Sequence, residues 1–446
     1  LMAALVAVLG WVIVRFSARY LEGEPGQRRY AAALMTTLGA VAVVVLTDHL
    51  GILLATWALS SLALHHLLTF HPERAAARVV AHKKFIASRL AELSLLGAIG
   101  LVYLETATLS MTGLAAYVAA LDALPGTLQA AAVLIAAAVI LKSAQLPLHG
   151  WLIKVMEAPT PVSALLHAGV VNIGGFVLIR MAELLSAAPA AQTLLVVMGS
   201  VTAVVAGLAM MTSVSVKERL AWSTCAQMGF MLVECGLGLY ELALLHLIAH
   251  SLYKAHAFLT AGETVNVARQ RDLAPAASAP SLGWRLAAAP LSLALVGGML
   301  GAWSMAVPGL AMPGVAFVIL GLGVAPLLWT SGTGIWRGMV SLAALTHLYG
   351  LWHLAFGAVA PAAGHAPLAL AVWAGLSLFV LYTLQTWAVT RPAGRLANAL
   401  RPWSSAGYHL DERFSAALFR LWPVHRPAGN AGITHHKPDS LAGEQA

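Results

Sequence analysis

Apolar runs long enough to cross a bilayer recur along almost the whole chain, and this feature limits the possible folds most. A membrane-crossing helix needs about 20 predominantly apolar residues. Hydrophobic residues make up 60% of the 446-residue sequence and charged residues only 10%, whereas soluble domains carry about 25% charged residues. Alternating ten-residue barrel strands are absent, and backbone groups in lipid must bond within their own element. The sequence therefore predicts an all-α polytopic membrane protein.

The apolar runs divide into about 13 predicted transmembrane helices. Their boundaries follow from hydropathy and from the polar residues between them. The first two predicted helices, 1–16 and 30–46, are the shortest of the set. The predicted spans are 1–16, 30–46, 50–70, 85–104, 127–146, 160–182, 191–213, 219–236, 240–262, 286–306, 313–333, 337–358 and 367–390.

Predicted loops that contain lysine or arginine alternate along the chain with loops that contain neither. Four loops contain neither residue, namely 105–126, 183–190, 307–312 and 359–366. Basic loops face the cytoplasm in inner-membrane proteins, so the alternation predicts a cell inner membrane location and a cytoplasmic tail. The net charge is +8, but the basic residues lie in short loops between apolar runs and not on one soluble face, which argues against nucleic-acid binding. Arg180 is the exception and is expected to extend to the lipid headgroups. The basic loops are 17–29, 71–84, 214–218 and 263–285, and the second of these includes Lys83 and Lys84.

One predicted span is interrupted close to a lysine. Lys142 ends an apolar run, and Pro147 follows five residues later. Proline lacks the backbone N–H, so we expect the helix to break just after Lys142. Pro159 and Pro161 indicate a second break before the helix that carries His167. Such breaks expose backbone groups that form polar sites in transporters. The alternative is that Lys142 extends to the surface and that the prolines form a plain turn.

Three polar residues follow one face of a later predicted helix. His246, His250 and Lys254 are spaced at i, i+4 and i+8, which places them in one row. Histidine titrates near neutral pH and can pass protons, and a nearby lysine favours the neutral imidazole. The alternatives are histidines that bond to a backbone carbonyl, a zinc site and a bis-histidine haem. The metal alternatives lack a suitably spaced carboxylate and a second histidine pair, so we predict no metal or cofactor in this chain.

Arg89 and Glu92 lie three residues apart in the span 85–104 and can pair on one helix face. Ionisable residues inside a membrane cost about 3 kcal/mol or more at the centre, so they are candidate functional residues. The alternative is an ion pair that anchors the cytoplasmic end of the helix. Weaker candidates, each more often a satisfied polar residue, are Asp48, His49, His65, His66, Glu234, His347 and His353.

Two stretches resemble the signatures of the antiporter-like, proton-pumping membrane subunits of respiratory complex I and of multisubunit Na⁺/H⁺ antiporters. The first is residues 142–180, beginning KSAQLPLHGW at Lys142, and the second includes LLHLIAHSLYKAHAFLTAG. The resemblance covers roughly residues 15–265. It implies a hydrated proton path, carried by Lys142, His167, His246 and His250, with Lys254 continuing the row.

The resemblance also implies a domain organisation. Two inverted five-helix repeats are expected over 30–182 and 191–333. A leading transmembrane helix with its cytoplasmic loop occupies 1–29, and further transmembrane helices occupy 337–390. In the cytoplasmic tail, 391–446, the segment YHLDERFSAALFRLWP predicts an amphipathic surface helix or a docking site for a soluble partner. The last stretch, 428–446, is expected to be disordered.

The sequence departs from the family pattern at specific positions. The family usually has a glutamate after the tryptophan of the third span, but here Ala58 follows Trp57. The span 286–306 contains no charged residue, although the family carries a lysine or glutamate in its second broken helix. We also expect no long lateral helix. Lys142 therefore needs another counter-ion, and Glu92 is the predicted one.

A shortened relative with these features resembles the membrane subunits of DAB-type inorganic carbon pumps. That resemblance implies cation flow through this chain and a large cytoplasmic zinc partner similar to a β-carbonic anhydrase. Catalysis would belong to the partner, and this chain would be a transporter subunit in the lipid bilayer. Two other hypotheses remain open. One is a proton-pumping subunit of a quinone-reducing or antiporter complex, and the other is a passive membrane anchor for a soluble enzyme.

Overall fold

The computed structural model describes residues 1–155, 158–272, 280–307, 312–330, 333–357 and 366–421. Within these ranges the chain is helical and contains no β-strand, although His49 and Ser110 form an isolated bridge. The α-helices of the described ranges are α1 (Met2–Tyr20), α2 (Gln27–Leu46), α3 (Leu50–Leu68), α4 (Ala75–Thr106), α5 (Met111–Ala119), α6 (Gly126–Lys142), α7 (Gly150–Ile153), α8 (Thr160–Ala168), α9 (Ile173–Arg180), α10 (Ala182–Ser186), α11 (Pro189–Thr212), α12 (Val216–Gly236), α13 (Tyr240–Leu259), α14 (Thr264–Asp272), α15 (Leu282–Ala306), α16 (Gly314–Val324), α17 (Thr333–Phe356), α18 (Leu368–Thr390), α19 (Arg395–Ser405) and α20 (Leu410–Leu421).

Ten helical segments of the described residues are long and apolar enough to cross a membrane. They are α1 to α4, the continuous segment of α8 and α9, and α11, α13, α15, α17 and α18. Two further apolar segments, α6 and Gly314–Leu328, are shorter. The remaining predicted span coincides with α12, whose first turn contains three charged residues. The all-α polytopic fold is therefore confirmed, while the number of 13 crossings stays a prediction.

The lipid-facing surface explains the apolar composition. Large hydrophobic side chains are exposed along the outer helices, as in α4, where Leu93 and Leu104 are 65% and 80% exposed. A soluble monomer rarely exposes so much contiguous apolar surface. The buried apolar residues form two large clusters, one joining α1 through α13 and the other joining α15 to α18 with the end of α12. The two predicted repeats, 30–182 and 191–333, stay a prediction.

The prediction of a basic loop over 71–84 is wrong for most of its length, because residues 75–84 are helical. Helix α4 begins at Ala75, ten residues before the predicted span, and runs for 32 residues. Lys83 and Lys84 are therefore helical and buried. Their burial is possible because the Lys83 ammonium pairs with Asp411 at 2.8 Å and Lys84 donates to the Ser61 carbonyl at 2.6 Å. Neither partner is near in sequence.

The predicted loop 105–126 contains an additional helix, α5. The Ser110 hydroxyl accepts a hydrogen bond from the Gly113 N–H and caps this helix, as serine commonly does. Asp48 accepts hydrogen bonds from Ser110 and Thr112, which joins this loop to the one before α3. Arg180 also pairs with Asp48 at 3.2 Å, so its guanidinium contacts a protein carboxylate.

The described part of the tail, 391–421, contains two helices, α19 and α20, which pack against the predicted cytoplasmic side of the bundle. In α19 the Ser404 hydroxyl donates to the Leu208 carbonyl of α11 at 3.0 Å. Asp411, in the first turn of α20, contacts α4 through Lys83. The segment predicted to be an amphipathic helix is therefore helical over Leu410–Leu421. The stretch expected to be disordered, 428–446, lies outside the described residues.

Candidate functional site

The broken helix predicted from Pro147 is present. Helix α6 ends at Lys142, and the next residues form an irregular turn in which Ala144 has a φ of 52°. Neighbouring helices satisfy the freed backbone groups. The Cys225 thiol of α12 donates to the Ala144 carbonyl at 3.2 Å, and the Leu146 N–H donates to the Thr202 hydroxyl of α11 at 3.3 Å. The break is thus held between two packed helices.

A proline-marked boundary precedes the helix that carries His167. Pro159 is the N-cap of α8, and Pro161 lies in its first turn. Proline suits this position because the first N–H groups of a helix have no intrahelical partner. Residues 156 and 157 lie outside the described ranges. His167, at the end of α8, is fully enclosed by neighbouring helices.

Lys142 lies in a polar pocket between α3, α4 and α6. Its ammonium group donates to the Glu92 carboxylate at 3.1 Å, the Ser61 hydroxyl at 3.2 Å and the Trp57 carbonyl at 3.3 Å. The same ammonium lies 4.5 Å from the centre of the Trp57 ring. The Lys142 side chain is only 6% exposed. A buried cation needs a partner charge and further hydrogen bonds, and this pocket supplies both.

The Glu92 carboxylate is shared between two cations. Arg89, one turn earlier in α4, approaches its other oxygen at 2.8 Å. The Arg89 side chain is 32% exposed and that of Glu92 is 13% exposed. Glu92 therefore keeps a positively charged partner even when the Lys142 amine is neutral. The predicted pairs Arg89–Glu92 and Lys142–Glu92 both occur in one cluster.

Lys84 is a second buried lysine beside this cluster, and sequence reasoning missed it. Lys84 donates to the backbone carbonyl of Ser61, whose hydroxyl accepts from Lys142. The sequence signal for this second lysine was the pair Lys83–Lys84 directly before the apolar run of the span 85–104. A helix that begins earlier than predicted places both lysines inside the bundle. His65 packs against Phe85, the residue after Lys84, with ring centroids 6.0 Å apart.

The row predicted on α13 is present, and α12 and α8 supply its contacts. The His246 Nδ1 atom lies 2.8 Å from the Glu234 carboxylate. The rings of His246 and His250 are 6.0 Å apart, and His250 Nε2 lies 3.3 Å from the backbone carbonyl of His167. Lys254 is fully buried and donates to the Leu220 carbonyl at 2.9 Å. The predicted residues of the second half thus lie in one continuous group.

Within the described part of the chain, no direct hydrogen bond or ion pair joins the Lys142 cluster to this row. Several buried polar atoms of these ranges have no hydrogen-bond partner, including Gln145 Oε1 in the break, His167 Nδ1 and His246 Nε2. Buried polar atoms are normally paired, and the exceptions concentrate where water, ions or reactions are accommodated. The His167 ring stacks on Phe258 with centroids 4.3 Å apart.

Two carboxylate–histidine pairs near α13 were missed as pairs. Glu234 was considered singly and bonds to His246. Glu241, in the first turn of α13, forms a short hydrogen bond with His353 of α17. The sequence signal for these pairs was that Glu234 and Glu241 lie in apolar segments within 12 residues of His246. Among the described residues, no group of three histidine, cysteine or acidic side chains is arranged to hold a metal ion.

Comparison with known proteins identifies the family. The transmembrane family described as NADH:quinone oxidoreductase/Mrp antiporter matches residues 47–330. The chain belongs to this family. The matched region includes the Lys142 cluster, the broken helix and the row on α13. The resemblance based on the two sequence signatures is thereby confirmed.

Three individual proteins of this antiporter-like family show the range of similarity. The probable inorganic carbon transporter subunit DabB of Hydrogenovibrio crunogenus is 48% identical over 319 residues, which are 71% of this chain and 61% of that protein. The probable inorganic carbon transporter subunit DabB2 of Halothiobacillus neapolitanus is 38% identical over 436 residues, 95% of this chain and 79% of that protein. A chain of the Mrp complex from Dietzia sp. DQ12-45-1b superimposes with a TM-score of 0.55 at 26% identity, covering 92% of this chain and 44% of that chain.

The matched part of this chain thus spans less than two thirds of the Hydrogenovibrio DabB relative and less than half of the Mrp chain. Membership of the family makes this chain a multi-pass membrane protein of the antiporter-like type. By their printed names, these relatives are subunits of inorganic carbon transporters or of the Mrp complex.

Proposed function

We propose that this chain is the cation-translocating membrane subunit of an inorganic carbon uptake system. In this proposal it works with a large cytoplasmic zinc protein similar to a carbonic anhydrase, which converts CO₂ into bicarbonate. The observation that carries the proposal is the buried Lys142–Glu92 pair at the broken helix, with N and O 3.1 Å apart. The names of the DabB relatives support inorganic carbon as the substrate class.

Glu92 supplies the carboxylate that the sequence lacks at the usual family position. The family usually places the lysine's carboxylate partner after the tryptophan of the third span, where this chain has Ala58. In this protein the carboxylate comes from α4 and reaches the same lysine, while Trp57 contributes its carbonyl and ring. The pair that an antiporter-like mechanism needs is therefore present with its acid on another helix.

The arrangement suits a lysine that exchanges its proton. When Lys142 is protonated, the cluster contains two cations, Lys142 and Arg89, and one anion, Glu92. When Lys142 releases its proton, the Arg89–Glu92 pair remains neutral overall, so no buried carboxylate is left without a partner. Lysine can lose its charge in a buried site, whereas arginine stays charged. The cluster thus alternates between net charges of +1 and zero.

In the proposed path protons enter from the outer side and load the Lys142 and His167 region. They then pass along His246, His250 and Lys254 towards the cytoplasm. Each imidazole takes a proton on one nitrogen and releases one from the other. Hydration of CO₂ releases a proton, so a membrane path could drive the partner by controlling that proton. Sodium ions are the other candidate for the transported cation.

The experiment that tests this function is purification of the tagged chain with metal analysis of the proteins that accompany it. We expect a large zinc-containing soluble protein, and we expect a deletion strain to need elevated CO₂ for growth. Redox subunits and sensitivity to quinone-site inhibitors would instead indicate a quinone-reducing complex. A passive anchor predicts that Lys142→Ala and His250→Ala keep full carbon uptake while changes in the cytoplasmic tail abolish it.

A further inference from the structure

A groove opens where the ends of α11 and α18 meet α19 of the tail. It has a volume of about 530 Å³. Among the described residues that line it, none belongs to the proposed cation path, so the groove is a separate feature of the fold. Apolar side chains of all three helices form most of its lining, and they include Leu208, Met211, Leu384, Val389, Ala397 and Leu400.

The groove lies at the predicted cytoplasmic boundary of the membrane. Helix α11 ends just before the basic loop 214–218, and α18 ends where the tail begins. Trp387 of α18 lines the groove, and Trp403 of α19 is 55% exposed. Tryptophan is enriched in membrane proteins at the depth of the lipid headgroups. The groove therefore faces the region where lipid chains meet their headgroups.

Two arginines meet at the mouth of the groove. Arg401 lines the groove, and its guanidinium donates to the Pro392 carbonyl at 3.2 Å. Arg391, directly before Pro392, places its guanidinium 5.5 Å from the ring centre of Trp387. Within the described part of the chain neither guanidinium forms an ion pair with a carboxylate. None of the described residues that line the groove is acidic, so its mouth carries an unbalanced positive charge.

An apolar lining with a cationic mouth fits an amphiphile that has a negative headgroup. Arginine binds phosphate oxygens through paired N–H bonds. Basic pockets between membrane helices on the cytoplasmic side bind anionic lipid headgroups. A free phosphate would contact only the mouth and would leave the apolar lining to water. A phospholipid fills both parts, because its headgroup and its acyl chains are joined.

We propose that this groove binds one anionic phospholipid of the cytoplasmic leaflet. Its phosphate lies between Arg391 and Arg401, and an acyl chain packs against Leu208, Met211 and Leu384. The site does not depend on which cation or substrate the chain handles, so it stands apart from the proposed function.

The bound lipid fastens the tail to the membrane helices. The Ser404 hydroxyl of α19 donates to the Leu208 carbonyl at 3.0 Å, and its oxygen lies 3.1 Å from the Thr212 hydroxyl. The lipid adds apolar contacts between the same two helices, α11 and α19. Helix α20 follows α19 and places Asp411 against Lys83. Lipid binding therefore stabilises the position of both tail helices on the bundle.

The test measures binding of a fluorescent phosphatidylglycerol to the full chain, purified in detergent and freed of native lipid. Arg401→Gln should weaken binding about fivefold, which corresponds to about 1 kcal/mol for one arginine near an anionic headgroup. Replacing Arg391 and Arg401 together by glutamine should weaken it about thirtyfold. The matched control replaces Arg413 and Arg420 by glutamine, because both are exposed on α20 and neither lines the groove. This control should bind the lipid as the wild type does.

Four results would overturn the inference. One is equal lipid affinity in the Arg391 and Arg401 double variant and in the control. Another is equal affinity for phosphatidylcholine, which has the same chains without net charge and should bind at least tenfold more weakly. Displacement of the lipid by millimolar inorganic phosphate would assign the mouth to a soluble anion. Loss of a co-purifying soluble protein from the double variant, with lipid binding unchanged, would assign the two arginines to a protein partner.

Discussion

Asp411 in the C-terminal tail lies 2.8 Å from the ammonium group of Lys83, a residue 328 positions earlier in α4. The same carboxylate lies 3.0 Å from Lys154, next to the broken helix. Helix α4 also carries Glu92, the partner of Lys142. The tail is therefore attached to α4, which carries Glu92, and to the segment that follows the helix break. We expect these contacts to stabilise the surroundings of the lysine cluster.

Replacing Asp411 is expected to destabilise the protein. Asp411→Asn leaves the buried Lys83 ammonium, whose side chain is only 5% exposed, without its counter-ion. Removing one partner of a buried ion pair typically costs about 3–5 kcal/mol. The matched control is Glu412→Gln, because Glu412 is 55% exposed and its pair with Lys154 is worth at most about 1 kcal/mol. Thermal unfolding in detergent measures both changes, and equal midpoints would contradict the assigned role of Asp411.

The Asp411 contacts also predict a pH dependence. Burial alone would raise the pKa of Asp411, but hydrogen bonds and charge interactions with Lys83 and Lys154 hold it below the ordinary 3.8. A carboxyl with a depressed pKa stabilises the folded state fully above its unfolded pKa of about 3.9 and loses that contribution as the pH falls through the folded value. The stability difference between the wild type and Asp411→Asn should therefore be constant near neutral pH and shrink below about pH 4. A constant difference down to pH 2.5 would argue against the ion pair.

Gly150 is expected to accept no side chain. A Cβ atom at this position would lie 1.6 Å from the Asp411 carboxylate, so Gly150→Ala displaces α20 or the broken-helix segment. Overpacking of this kind typically costs about 1–3 kcal/mol. Gly126→Ala is the control, because no atom lies within 4 Å of the added methyl group. Limited proteolysis at the residues before α19 should become faster in Gly150→Ala only, and equal rates would contradict the close approach.

The sequence predicted those features that depend on local patterns. Hydropathy located the spans, and Pro147 located the break after Lys142, because a missing backbone N–H is a local property. Helical spacing also placed His246, His250 and Lys254 in one row. The predicted loop over 71–84 failed for a different reason. Lys83 and Lys84 look like residues of a cytoplasmic loop until Asp411 and Ser61, distant in sequence, supply their partners.

The carboxylate pairs show the same limit. Glu241 and His353 are 112 residues apart, and no local pattern connects them. Glu92 was the predicted partner of Lys142, and the structure places it within contact distance. The functional roles of these residues stay predictions, because proximity shows which groups can exchange protons and transport measurements show whether they do.

Glu92→Gln should impair transport more than stability. The glutamine can still accept a hydrogen bond from Lys142, but it removes the charge shared by Lys142 and Arg89. We expect carbon uptake to fall at least tenfold in cells that keep normal amounts of the protein, because the buried Lys142 and the partly exposed Arg89 then repel each other without an anion between them. Glu73→Gln is the control, since Glu73 is 68% exposed and lies 3.5 Å from His71. Full uptake in Glu92→Gln would assign the counter-ion of Lys142 to another residue.

The most direct test of the whole account is proton uptake by the complex carrying Lys142→Arg. Arginine keeps the positive charge and can still pair with Glu92, but it does not release its proton. We predict uptake near the background level together with normal assembly, while the control Lys217→Arg, at the start of α12, stays at the wild-type rate. Wild-type uptake in Lys142→Arg would show that Lys142 is not part of the path.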